Sequence, residues 1–418
     1  MRRRLLFALV PLLALAALAE GVGRLRDDPH AADTARLYEP GAVLVRAEGA
    51  RRVTARDELH DQAWVLPKTG YRVAFVGDST VWGQLPDAFG QALVVPGAAV
   101  EVLNFGIRGA ASDRARIAAE AAVAQDLDLL VVYVGHNEVT EARLNPVSLR
   151  PFWQRRVASA LLGSGVARLL GPVLDPLRAA LAADPSALRD KGDAAPRPLA
   201  EAEWAPVAAS YRRNLEAICT LADPARIVFV EPISSLVHPG EAPPDSPPIV
   251  RSAMESGIAA ARLGDPTDAL GWADRLRGYY PELGPPRALR GLALLGLGDR
   301  DGALVELREA RRRDAQPTRA TEAHWAIVRE VAAGCGATAV RTEPAFLPDA
   351  RYLGLDDALF MDRVHPTLPG NVLLAGIIAA AAPLPAGTAF EPARVTLTPP
   401  ADEATRGWRL PGAPADPP

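Results

Sequence analysis

Lysine is nearly missing from this chain: of 46 basic residues only Lys68 and Lys191 are lysine, and the rest are arginine. With heavy alanine, glycine and proline usage this reads as a GC-rich coding bias, and no function follows from it. An excess of basic charge is also missing. Lys and Arg number 46 against 50 Asp and Glu, a net charge of −4, so no basic field points to nucleic acid. Only two cysteines occur, Cys219 and Cys335, too few for a disulfide framework or a Cys-rich metal site. An exported chain could pair them, but we read them as two small buried apolar residues. The six histidines (30, 60, 136, 238, 324, 365) show no ligand spacing, and no metal or other cofactor is expected. HExxH, P-loop and CxxC patterns are missing. So is a GxSxG elbow; Gly163-Ser164-Gly165 has the wrong spacing and lies in a helical stretch. Disorder is excluded by 49% hydrophobic and 23% charged residues. The 418 residues suit two or three structural units.

What is present begins with an address. Arg2, Arg3 and Arg4 precede an uncharged run from Leu5 to Ala19, and Ala17-Leu18-Ala19 fits small-x-small cleavage. The run is short for a span, which needs roughly 20 apolar residues. Residues 1–26 are therefore expected to be a signal peptide or an N-terminal membrane anchor. The arginines would stay in the cytoplasm and the rest outside it, either periplasmic or secreted, or held at the inner membrane.

Short apolar runs then alternate with amphipathic stretches. Residues 27–70 are a polar, irregular lead-in. Strands are predicted at Tyr71–Val76, Val100–Asn104, Leu129–Val134, Ile227–Val230 and Ala337–Arg341. Helices are predicted at Ser112–Gln125, Trp204–Leu221 and Val372–Ala381. Strands that are apolar throughout and alternate with helices predict an α/β fold: a three-layer α/β/α arrangement around a mostly parallel sheet.

Two stretches interrupt the alternation. Residues 146–200 hold an apolar helical piece, Val157 to Leu170, and then a Pro/Ala/Asp-rich segment. Residues 248–319 hold a repeat: Ile258 to Asp265 matches Leu292 to Asp299, and Ala269 matches Ala303, all at an offset of 34. Each copy reads helix, Gly-Asp turn, helix, which resembles tetratricopeptide repeats. Two units are fewer than such an array needs alone, so they must lean on the α/β body. Docking of a protein partner and a purely structural role stand level for this insertion. The interrupted domain thus comprises 71–247 and 320–385, and residues 386–418 form a Pro-rich tail.

Three motifs fall at predicted strand ends, where open α/β sheets place their ligands, and a fourth lies far down the chain. They are Gly77-Asp78-Ser79-Thr80, Asn104-Phe105-Gly106-Ile107-Arg108-Gly109, Gly135-His136-Asn137-Glu138 and Asp362-Arg363-Val364-His365-Pro366. Ser79 follows a buried strand and can present its hydroxyl at the sheet edge. The glycines of the second motif let a main-chain N–H face an oxyanion. Asn137 can donate a side-chain hydrogen bond. Asp362 and His365, three apart, can share one face of a turn, the carboxylate holding the imidazole that serves as base for a distant serine. Singly, each motif also fits a turn, a tight loop, a helix cap or a capped turn; together, in this order, they mark a site.

This constellation resembles the SGNH (GDSL-type) hydrolase family, over residues 71–140, 204–235 and 337–382. The resemblance implies a flavodoxin-like fold with Ser79 as nucleophile, His365 as general base and Asp362 orienting it. It also implies an oxyanion hole from the N–H of Ser79, the N–H of Gly109 and the amide of Asn137, with Asp78 bracing the nucleophile turn. Thr80 replaces the leucine of the family name, Glu138 replaces the usual aspartate, and His136 takes a commonly small or polar position. The implied activity is that of an exported serine esterase acting on an acyl ester or an O-acylated glycan. An O-acyltransferase on a cell-envelope polysaccharide would use the same groups. A third reading, from another class, is an interaction protein with the hydrolase fold as scaffold.

Overall fold

The structure, a computed structural model, describes residues 68–144, 199–238, 246–262, 264–315, 317–347 and 359–397, together with 44–47, 52–56, 146–151 and 154. The expected signal or anchor at 1–26, the helical piece at 157–170 and the chain after 397 lie outside the described residues. Among the described residues no helix is long and apolar enough to cross a membrane.

Among the described residues nine strands form: β1 Leu44–Ala47, β2 Arg52–Arg56, β3 Tyr71–Gly77, β4 Leu93–Val94, β5 Val100–Gly106, β6 Leu129–Tyr133, β7 Ile227–Val230, β8 Thr338–Val340 and β9 Ala389–Phe390. The main sheet has the order β1-β2-β5-β3-β6-β7-β8. From β2 to β8 all neighbours are parallel, and β1 joins β2 antiparallel at the edge. The lead-in expected to be irregular thus extends the sheet by two strands. The five central strands, in order of sequence, run 2-1-3-4-5, a doubly wound order whose switch point lies beside the first strand.

The helices are α1 Ser79–Trp82, α2 Leu85–Ala92, α3 Ser112–Val123, α4 Glu138–Leu144, α5 Glu201–Cys219, α6 Pro248–Arg262, α7 Pro266–Tyr279, α8 Gly284–Gly296, α9 Arg300–Arg312, α10 Glu322–Cys335, α11 Glu343–Phe346 and α12 Leu368–Ala381. Successive side chains of a strand point to opposite faces, and each face of this sheet has its own core. Ala74, Val76, Leu130, Val132, Ile227 and Phe229 pack with α3, α5 and α10. Their neighbours Val73, Phe75, Leu129, Val131, Val228 and Val230 pack with α1, α2 and α12. Burial on both faces is why these strands read as continuous apolar runs rather than alternating ones. The α/β, three-layer expectation and its parallel sheet are what the structure has.

Helices α6 to α9 form two consecutive helical hairpins, and the 34-residue offset is repeated in their turns. Gly264 and Gly298 both adopt left-handed backbone, at φ +80° and +87°. Behind each, the next N–H returns to a helix carbonyl: Asp265 to Ala260 and Asp299 to Leu294, both at 2.9 Å. Each aspartate then caps the following helix, accepting from Asp268 N–H and Gly302 N–H. Small residues at the offset, Ala269 and Ala303, are wholly buried. The final helix leans on the body as expected. Leu307 joins the core of one sheet face, and Arg308 and Arg311 hold Glu343 of α11.

One expectation is corrected. Cys219 and Cys335 are not separate buried thiols but a disulfide. They end α5 and α10, helices side by side on one sheet face, and their Cα atoms lie 6.3 Å apart, within bridging range. The bridge spans 116 residues and encloses the whole helical insertion. The start of the Pro-rich tail is also ordered: β9 pairs with β4, and Thr396 N–H donates to Gln91.

Candidate functional site

The site lies beyond the carboxyl ends of β3, β5 and β6, at the switch point. Gly77 is in register with Gly106 on one side and Tyr133 on the other. Both glycines are required by close approach. A Cβ on Gly77 would lie 1.9 Å from the Tyr133 carbonyl oxygen, and one on Gly106 would lie 2.1 Å from the Trp82 nitrogen. The turn that carries Ser79 can therefore sit flat on the two neighbouring strand ends. From this row the chain reaches Ser79 in two residues, Gly109 in three and Asn137 in four.

Asp78 is fully buried and caps α1, its Oδ1 accepting from Thr80 N–H at 3.0 Å. This bracing leaves Ser79, the first residue of α1, partly exposed. His365 comes from the far end of the chain. Its Nε2 lies 2.7 Å from Ser79 Oγ, and its Nδ1 lies 2.6 Å from Asp362 Oδ2. The other oxygen of Asp362 accepts the N–H groups of Val364 and His365, each at 2.8 Å. The carboxylate thus fixes the turn that carries the imidazole as well as the imidazole itself.

That turn is held from three sides. Met361 N–H donates to His365 O and Thr367 N–H to Leu359 O. Asn371 of α12 donates to Pro366 O. Ser235 N–H donates to Arg363 O at 2.9 Å, and Arg319, from the end of the helical insertion, donates to Ser235 O.

The electrostatics follow from this geometry. Burial alone would raise the Asp362 carboxyl, but the hydrogen bonds and charge of His365, with the two backbone donors, hold it well below the usual carboxylate range. Burial alone would lower His365, but the Asp362 hydrogen bond and charge raise it above the ordinary histidine value, with Asp78 adding and Arg108 opposing. The result is a proton acceptor at Nε2 aimed at a serine hydroxyl, with a carboxylate ready to stabilise the imidazolium.

Gly109 has φ +67°, a conformation glycine adopts without steric cost. Asn137 immediately precedes α4, and its Nδ2 donates to Ala110 O at 3.1 Å.

His136 is buried and held at both ring nitrogens. Its Nδ1 accepts Ala320 N–H at 3.1 Å, so the neutral ring carries its proton on Nε2, 3.3 Å from Tyr133 Oη. Burial, then the charge of His365, lowers it to about 3. It is a buried tether between the third strand end and the segment after the insertion, not a lining group. Among the described residues no group of three or more His, Cys, Asp and Glu could hold a metal ion.

Sequence reasoning missed the polar frame behind the second loop. Glu138 accepts both Ser112 N–H and Ser112 Oγ–H, at 2.7 and 2.8 Å, and Asn214 of α5 donates to the same hydroxyl. Burial pushes Glu138 up to about 8 against those hydrogen bonds. Glu141 accepts Ala111 N–H and Arg114. The available signal was two glutamates at one and four positions after Asn137, acidic residues too close to a buried strand end to be solvated.

No protein-family model matches the chain, and no curated protein sequence matches it.

Proposed function

We propose that this chain is an exported serine hydrolase of the SGNH type, acting on an acyl ester or an O-acylated glycan. The observation that carries the proposal is the continuous line Ser79 Oγ, His365 Nε2, His365 Nδ1, Asp362 Oδ2, with separations of 2.7 and 2.6 Å. An unactivated serine is a weak nucleophile, and a base within hydrogen-bond reach, itself oriented by a third group, is the arrangement that activates it.

Ser79 Oγ attacks the ester carbonyl carbon while His365 Nε2 takes its proton. Asp362 stabilises the imidazolium through Nδ1–H. The tetrahedral oxyanion is held by Ser79 N–H, Gly109 N–H and the Asn137 amide. Collapse breaks the C–O bond to the alcohol, which leaves with the proton from His365. Water, deprotonated by His365, then cleaves the acyl-enzyme.

The placement outside the cytoplasm rests on the arginine-flanked apolar run at residues 1–26 and on the Cys219–Cys335 disulfide, a bond that persists in oxidising compartments. Residues 248–319 are read as a tetratricopeptide-like insertion, on the repeated Gly-Asp turn. Two hairpins without a third unit, docked through α9, suit packing on the body, and any partner would meet the remaining faces.

Fluorophosphonate labelling with peptide mapping tests the reading. The expected result is an adduct on Ser79, lost in Ser79→Ala and in His365→Ala, with both variants melting like the parent. A folded protein that takes no label would overturn it. Adding a glycan hydroxyl during turnover of an activated acetyl ester then separates hydrolysis from transfer, by whether acetate or acetylated glycan accumulates.

A further inference from the structure

The loop that carries Gly109 is gripped at four consecutive residues. Arg114 Nη2 donates to Gly109 O at 2.6 Å. Asn137 Nδ2 donates to Ala110 O at 3.1 Å. Glu141 Oε2 accepts Ala111 N–H at 3.1 Å, and Glu138 accepts Ser112 N–H at 2.7 Å. Three of the four gripping side chains come from the start of α4: Glu138 and Glu141 are i, i+3 neighbours in its first turn, and Asn137, the residue before it, lies four positions ahead of Glu141, whose N–H donates to Asn137 O. The fourth, Arg114, belongs to α3 and is tied to that face, its Nε and Nη2 donating to Glu141 Oε2 at 3.2 and 2.9 Å. One carboxylate oxygen thus receives the Ala111 N–H and two of the three nitrogens of the guanidinium that holds Gly109.

Such a grip has a chemical reason. Glycine visits φ of either sign about equally, so at Gly109 nothing in the residue itself selects φ +67°. A donor that must meet a transition-state oxyanion has to be in place before the charge develops. The Arg114 bond to Gly109 O and the Ala110 N–H bond to Ile107 O, at 3.1 Å, hold the peptide plane that follows Gly109 from both sides, which limits how far the plane carrying the Gly109 N–H can swing. Glu141 is 3% exposed, whereas the Arg114 side chain is 29% exposed. The carboxylate is therefore the fixed member and the guanidinium the arm that reaches from it to the loop.

We propose that Arg114 and Glu141 are a positioning pair that holds the Gly109 N–H at the oxyanion, a role that rests on the serine hydrolase reading above. Neither residue touches substrate. Each acts through the Gly109–Ala111 backbone.

The test is steady-state hydrolysis of 4-nitrophenyl acetate by the full chain and by Arg114→Ala, Arg114→Lys, Glu141→Gln and the Arg114→Ala/Glu141→Gln double variant. A trifluoromethyl ketone serves as mimic of the tetrahedral intermediate. The expected result is a kcat lower by about 10- to 100-fold in Arg114→Ala, part of the 10²–10³ that loss of a whole donor brings. KM should change less than about threefold, and the ketone should bind more weakly by a factor like that in kcat. Arg114→Lys, which keeps a donor for Gly109 O, should recover part of kcat, and the double variant should be no worse than the poorer single one. A merely structural pair would lower the melting temperature without this split between kcat and KM. Folded Arg114→Ala with parental kcat and ketone affinity would overturn the proposal; if that variant does not fold, parental kcat in both Arg114→Lys and Glu141→Gln would do the same. In either case parental labelling of Ser79 leaves the hydrolase reading standing. A parent that neither labels nor turns over would overturn both.

Discussion

The two ends of one sheet hold their polar side chains in opposite ways. At the amino ends of β3, β5 and β6 the polar groups consume one another. Arg72, buried to 1% exposure, donates through Nε to Glu101 at 2.7 Å and through Nη1 to Gln125 O. Its own N–H is taken by Asp128, which also meets Lys68. Glu101 is raised by burial but held below its ordinary pKa by Thr69 and Arg72. At the carboxyl ends the polar groups form a line that stops at a partly exposed hydroxyl. The Asp362 and His365 side chains are 52% and 32% exposed, and Ser79 is open enough to be approached. Charge at one end closes the sheet over itself; at the other it is spent on orienting a proton acceptor. Carboxyl ends favour the second use because strand-to-helix turns there present N–H groups outward.

The sharpest way to break this comparison is at Asp362. Asp362→Asn keeps the shape but removes the charge that raises His365, and turnover of an ester should fall by about 10⁴-fold. The acid limb of the rate profile should shift with it. His365 must be neutral to act as base, so in the parent the limb lies above the ordinary histidine value, and in Asp362→Asn it moves toward lower pH. A harmless Asp362→Asn would remove the orienting role. Next in size is Asn137→Ala, expected to lower kcat by about 10² to 10³ with little change in KM; stopped-flow acylation kinetics would report it.

The opposite end should answer in stability rather than rate. Arg72→Met leaves Glu101 buried without its charge partner and should cost about 3–5 kcal/mol, read by chemical denaturation. The kcat per folded molecule should stay near the parent's. A large kcat loss there would mean that the two ends are not separable.

The smallest effect sharpens the contrast among the histidines. Burial lowers His136 to about 3, His324 to about 3 and His238 to about 4. For these groups the unfolded chain binds the proton first. The stability they confer is complete above the ordinary value of 6.5 and is lost as pH falls from there toward 3. From pH 6.5 to 5 each contributes a loss of about 2 kcal/mol. His324 accepts Thr321 N–H as the third residue of α10, the place of glutamine in a capping box. His324→Gln should therefore keep the cap and flatten the pH dependence of the melting temperature. An unchanged slope would deny His324 its part.

Much of this architecture was legible in the chain because it is local. Tyr71 to Val76, Leu129 to Val134 and Ile227 to Val230 are short apolar runs closed by turn residues, and their continuous apolar character already implied cover on both faces. The repeated Gly-Asp turns were readable because a left-handed glycine followed by an Asp cap is decided by adjacent residues. The strand-end motifs were readable for the same reason, down to Asp78 bracing the turn before Ser79. The short stretch at 44–56 was not. β2 forms by pairing with β5 and β1 by pairing with β2, so the pair depends on a strand some fifty positions on in the chain.

By itself, then, the sequence determined the alternation of strands and helices, the period of the insertion and the four motifs, each a property of residues within one turn or one strand of each other. Tertiary structure alone decided which distant groups meet. It brought His365 to Ser79 across 286 positions and joined Cys219 to Cys335 across 116. It turned His136 inward onto Ala320 and set Arg114 and Glu141 around Gly109. Hydrogen bonds and disulfides act only over a few ångströms, and which residues come that close is set by how helices pack on the two faces of the sheet, not by their neighbours in the chain.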